Sequence, residues 1–186
     1  MTPVHAFMAW RRERLGVLPF VGVALVVAAA ARDLTVSVTA AAFVWVTAFR
    51  LWDDVRSRDD DARKHPGRVV VRGPVAPFAR AATVAVMVGA VVALAMGVLW
   101  GFVGIVVALV GVYAVPLPPA VRETLVLLKY PAMAAALSSS THPPTVWHLL
   151  VLFVCFLVDD RLTGEAPMPA RALPFVLTFF VLLCVL

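Results

Sequence analysis

Eight of the eleven acidic residues fall in two short stretches. The first runs from Arg50 through Asp53, Asp54, Arg56, Ser57, Arg58, Asp59, Asp60 and Asp61 to Arg63, Lys64 and Arg68. The second holds Asp159, Asp160, Arg161 and Glu165. On a continuous helix Asp53, Ser57 and Asp61 share one face at i, i+4 and i+8, and Asp54 projects with Asp61. Carboxylates stacked in this way repel each other, so a cation must compensate. Either the interleaved arginines or a divalent ion can do so. Mg²⁺ suits the pattern, because it takes one or two carboxylates and fills its shell with phosphate oxygens and water. The arginines can meet the same phosphates through bidentate contacts. Acids and bases mixed in one stretch therefore fit a metal–diphosphate site. A solvated charged loop with local ion pairs is the plainer reading of either stretch alone.

The elements that position these residues follow from composition. The chain has 186 residues, 62% hydrophobic and only 15% charged. Soluble domains are about half apolar and a quarter charged, so an integral membrane protein is expected. The apolar stretches are continuous rather than alternating, which favours helices over a barrel. Seven spans are expected, at about 15–31, 35–52, 79–97, 100–116, 123–140, 145–159 and 171–186. They form one integral membrane domain, 1–186, with no linker dividing it.

With a cytoplasmic N-terminus, 15 of the 16 basic residues fall on the cytoplasmic side, and only Arg32 lies opposite. That asymmetry fixes the orientation. It puts both acidic stretches on the cytoplasmic side, at one mouth of the bundle. The net charge of +5 then reflects topology and anionic lipid, with no nucleic acid partner expected. Cys155 and Cys184 lie in apolar runs without metal-ligand spacing. Lys129, beside Tyr130 and Pro131 in the fifth span, either snorkels to the interface or reaches a bound phosphate. His142 and His148 lie opposite, away from any acidic pair. No phosphate-binding glycine loop or nucleophile elbow occurs.

The arrangement resembles the UbiA superfamily of intramembrane prenyltransferases. That family carries an N/D-D-x-x-D-x-x-x-D motif between helices two and three and a second Asp motif after helix six. Asp53, Asp54 and Asp61 match three slots of the first motif, and Ser57 occupies the fourth. Pro66-Gly67-Arg68 and Gly73 look like the family's Arg–Gly loop, with Val69 where Pro is usual. Tyr113 looks like the family's tyrosine near the helix four–five loop. The second motif is imperfect, since Glu165 comes five residues after Asp160.

The resemblance implies a Mg²⁺-dependent enzyme using a prenyl diphosphate. Asp54, Asp61 and Asp159 would be catalytic. Asp53, Asp54, Asp61, Asp159 and Asp160 would hold metal. Arg58, Arg68, Arg72, Tyr113 and Lys129 would bind substrate. Ionisation of the allylic C–O bond would deliver the prenyl group to a lipophilic or aromatic acceptor. A transmembrane terpene cyclase on the same scaffold is the second reading. Trp45, Trp52, Phe43, Phe49, Trp100, Phe102 and Trp147 are then candidates to stabilise the cation. A catalytically inactive membrane partner is the third. The family usually has about nine helices, so this chain would lack helices eight and nine. One flank, at Phe175, Phe179 and Phe180, would then open to lipid.

Overall fold

The structure, a computed structural model, describes residues 1–14, 17–139, 141, 143–162, 176–179 and 181–182; for 14, 17–20 and 160–162 it describes the backbone alone. The described residues form ten helices and no strand, an all-α architecture as the composition implies. They are α1 (Pro3–Arg14), α2 (Val17–Ala30), α3 (Val36–Arg56), α4 (Arg58–Lys64), α5 (Val69–Arg72), α6 (Val75–Ala95), α7 (Leu99–Ala114), α8 (Pro119–Leu127), α9 (Lys129–Leu137) and α10 (Val146–Leu162).

Helix α3 is central and packs against α2, α6 and α9. The Thr35 side chain caps its start by accepting the Val38 N–H. Buried alanines of α2, among them Ala24 and Ala28, face a helix that itself buries Ala41 and Ala42. Small side chains let two backbones approach closely where hydrophobic drive between helices is weak. Between α6 and α7 the chain reverses at Gly97, whose φ of 73° is left-handed. The Val98 N–H then donates to the Ala93 carbonyl at 2.9 Å, closing the helix end.

The expected fifth span, 123–140, is not one helix. It breaks at Leu128 into α8 and α9. Pro131 explains the break: it has no N–H for the Leu127 carbonyl, and its ring crowds that turn. The second span runs past its expected end at 52 and carries Asp53 and Asp54 in its last turn. Helices α1, α4 and α5 were not expected. Most of the seventh span, 171–186, lies outside the described residues, with Phe175, Phe180 and Cys184. Among the described residues one helix, α6, is long and apolar enough to cross a membrane; α7 and the apolar stretches Val21–Ala30 and Val146–Asp159 are shorter.

Beneath the acidic end, Trp45, Phe49 and Phe102 form a buried aromatic cluster, with ring centroids 5.0 and 5.4 Å apart. The Trp45 indole N–H donates to the Gly89 carbonyl of α6 at 3.1 Å. A Cβ at Gly89 would sit 2.9 Å from two carbons of the Phe102 ring, which the neighbouring rings hold in place. Gly89→Ala is therefore expected to destabilise by about 1–3 kcal/mol through overpacking. Gly104→Ala, with nothing within 4 Å of its Cβ, should be neutral or stabilising. Thermal unfolding of the two purified variants checks the contrast; equal melting temperatures would remove the argument.

Trp100 and Trp147, proposed cation-stabilising rings, are 83% and 53% exposed and point out of the bundle.

Candidate functional site

The last turn of α3 brings Asp53 and Asp54 to the end of the buried core. The chain then pivots at Ser57, whose hydroxyl donates to the Asp53 carbonyl at 2.8 Å. That bond gives Ser57 a local role in the turn. Helix α4 follows and carries Asp61, which lines the same cavity as the first two carboxylates. Asp53, Asp54 and Asp61 are all buried, at 9%, 5% and 7% exposure. Asp54 is thus enclosed in a helical turn.

Each carboxylate has a protein partner. Lys129, 3% exposed, ion-pairs with Asp53 Oδ2 from the first position of α9. The break at Leu128 is what turns this lysine inward, so it does not snorkel. The Tyr113 hydroxyl, from the end of α7, donates to Asp53 Oδ1 at 3.2 Å. The Trp10 indole N–H donates to Asp54 Oδ2 at 2.7 Å. Arg68 pairs with Asp61 at 2.5 Å. Asp159, buried near the end of α10, lies 3.8 Å from Arg50. Arg50 also donates to the Tyr130 hydroxyl at 3.2 Å. The two acidic stretches therefore meet at one end of the bundle, joined through Arg50.

Of these groups Arg50, the three α3–α4 carboxylates, Arg68, Tyr113 and Lys129 line a cavity of about 540 Å³. Among its walls are Asp53, Asp54, Asp61, Arg68, Tyr113 and Lys129. Six Arg or Lys and five Asp or Glu side chains line it, close to balance. Two further ion pairs run between α4 and α8 at its rim, Lys64–Glu123 at 2.5 Å and Arg122–Asp60 at 3.7 Å.

Three expected substrate or metal residues stand elsewhere. Arg58 does not line the cavity. Its guanidinium donates to the carbonyls of Val70, Val71 and Gly73 at 3.0, 2.8 and 3.2 Å. It holds the α5 turn that carries Arg68, so its role is positioning. Arg72 is exposed and also stands outside the cavity lining. Asp159 reaches the cavity only through Arg50. The Asp160 and Arg161 side chains, and Glu165, lie outside the described residues. Arg58→Ala is expected to cost about 2 kcal/mol, because a charged donor to buried carbonyls is lost. Arg58→Lys should recover little, since an ammonium cannot reproduce the fork. Hydrogen exchange across Val69–Gly73 reads the loosening; unchanged protection in both variants would contradict it.

Trp10 and Arg50 were missed as site residues. Trp10 had a signal: Ala6 and Trp10 are spaced i, i+4 ahead of the first expected span. Arg50 sat at the edge of the second span, where a basic residue reads as a topology marker.

Among the described residues, no three acidic, His or Cys side chains close into a metal cage. Mg²⁺ does not require one, since it keeps waters and takes phosphate oxygens. Asp53, Asp54 and Asp61 line one cavity, and each is engaged there by a protein partner. No family model matches the chain, and neither a curated protein nor a solved structure does.

Proposed function

We propose that the protein is a multi-pass membrane enzyme that uses a prenyl diphosphate and Mg²⁺ to transfer a prenyl group. The observation that carries this reading is the near-balanced polar cavity at one end of an apolar helix bundle. A site with nearly equal numbers of cations and carboxylates suits a ligand that brings both signs, a diphosphate with its divalent ion. A simple anion site would be net basic. The UbiA resemblance points to the same chemistry and shares Asp53, Asp54, Asp61, Arg68, Tyr113 and Lys129 with the cavity lining.

The membrane setting rests on composition and on the outward face of α6, where Val84, Met87, Val88, Val91 and Leu94 are exposed. A contiguous apolar face of this kind is costly in water and suited to lipid. The apolar stretches of α2, α7 and α10 are shorter, and the basic asymmetry orients the cavity to the cytoplasm.

In this mechanism Lys129 and Arg68 move from their carboxylate partners to the diphosphate oxygens. That exchange leaves Asp53, Asp54 and Asp61 as the residues that would hold the ion. When bound, the ion neutralises charge on the leaving diphosphate. The Tyr113 hydroxyl donates to an oxygen at the same place. Preorganised donors of this kind stabilise the charge that develops as the allylic C–O bond breaks. The packed aromatic cluster beneath excludes water from the cation. An acceptor then attacks the allylic carbon and loses a proton.

The test is diphosphate release by purified protein in lipid, with prenyl diphosphates of several chain lengths, with and without Mg²⁺. Metal-dependent release supports the reading, and no release with any chain length overturns it. Running the assay without acceptor separates transfer from cyclisation, since a cyclic product indicates the latter.

A further inference from the structure

Helix α1 has two faces. Ala6, Trp10 and Glu13, at i, i+4 and i+7, face the protein. Ala6 and Trp10 are fully buried, Trp10 holds Asp54, and the Glu13 carboxylate accepts the Val69 N–H at 2.6 Å. The helix packs on α5 and α6 through this side. The other face carries Val4, Met8, Arg11 and Arg12, at i, i+4, i+7 and i+8. All four are exposed, Val4 at 70% and Met8 at 38%. Among the described residues no hydrogen bond or ion pair engages Arg11 or Arg12.

We infer that this outward face of α1 docks on an anionic lipid surface. Two apolar side chains with two arginines on one helical face match the lipid interface, where apolar groups enter the acyl boundary and cations meet phosphate. Arg72 and Arg80 are also exposed, on the two elements α1 packs against. Each basic residue near an anionic leaflet adds attraction that falls off within a Debye length. A nucleic acid would meet the arginines but leave Val4 and Met8 with no apolar partner. The docking matters to the cavity because the same helix presents Trp10 to Asp54 on its other side. A lipid contact on one face of α1 thus bears on a carboxylate of the site. The inference rests on the membrane reading above, and not on the diphosphate chemistry.

The experiment uses the full chain with its two cysteines replaced by alanine and one introduced by Val4→Cys, labelled with an environment-sensitive fluorophore. The protein is placed in nanodiscs of phosphatidylcholine alone or with phosphatidylglycerol, each also made with spin-labelled acyl chains as quencher. The expected result is a blue shift and quenching in the anionic discs only. Raising the salt should reverse them, and Arg11→Glu with Arg12→Glu should abolish them. A label in water in both lipids would overturn the docking. So would equal quenching in both, or quenching that survives charge reversal. Alkaline extraction of vesicles holding the same protein reports separately whether the bundle is embedded. Failure of the membrane reading is thereby distinguished from failure of this one.

Discussion

Lys129→Ala should lower the unfolding free energy by about 3–5 kcal/mol and extinguish metal-dependent diphosphate release. Lys129 is 3% exposed, and its ammonium is paired with the buried Asp53 carboxylate. Removing one member of a buried pair leaves the other charge without its main compensation. The Tyr113 hydroxyl alone offers a single neutral hydrogen bond to Asp53. The stability and activity losses have different causes, and a double variant separates them. Asp53→Asn with Lys129→Met removes both charges while keeping volume and an acceptor for Tyr113. Its stability should return to within about 1.5 kcal/mol of the native protein, since uncharged replacements of a buried pair are often neutral. Its activity should remain absent, because the cavity has lost both a carboxylate and a phosphate donor. Thermal unfolding and the release assay together check this. A native melting temperature for Lys129→Ala would mean that the pair does not compensate buried charge. Activity in the double variant would remove Asp53 and Lys129 from the site.

Asp54→Asn should keep the fold and reduce release by roughly 100-fold or more, the scale of losing one preorganised electrostatic group at a reacting centre. The asparagine carbonyl still accepts the Trp10 indole N–H, so α1 stays docked. What disappears is the negative charge that would hold the ion. Asp54→Ala should lose activity equally and also destabilise by about 1–3 kcal/mol, because a buried indole N–H is left without its acceptor. Trp10→Phe keeps an aromatic ring and removes only the donor. It should impair release less than either Asp54 variant. Near-native release by Asp54→Asn would show that the carboxylate serves only to anchor α1.

The all-α class was legible in the continuous apolar runs, which strands facing water cannot use. The positions of Asp53, Asp54 and Asp61 were legible as well, because i, i+4 and i+8 spacing survives a small bend at Ser57. What the sequence could not settle was the choice among cations. The acid-rich end carries many arginines and lysines, and spacing alone does not say which one a carboxylate takes. Arg58 and Arg68 lie ten residues apart in one basic stretch. Only the fold of α5 turns Arg58 onto backbone carbonyls and Arg68 onto Asp61. Lys129 was ambiguous for a similar reason. On an unbroken fifth span its side chain had an outward option, and the break that Pro131 imposes directs it to Asp53.

Pairings that join distant parts of the chain were decided by tertiary structure alone. Trp10 meets Asp54 from 44 residues away, and Arg50 lies beside Asp159. Such contacts depend on helix order and crossing, for which local periodicity carries no term. The sequence by itself determined an apolar helical chain with two acidic stretches, the first interleaved with basic residues. The tertiary structure decided that the last turns of α3, α7 and α10 and the first turn of α9 come together there, and which side chains meet. The physical reason is that burial and charge follow residue type, whereas partner choice follows packing geometry.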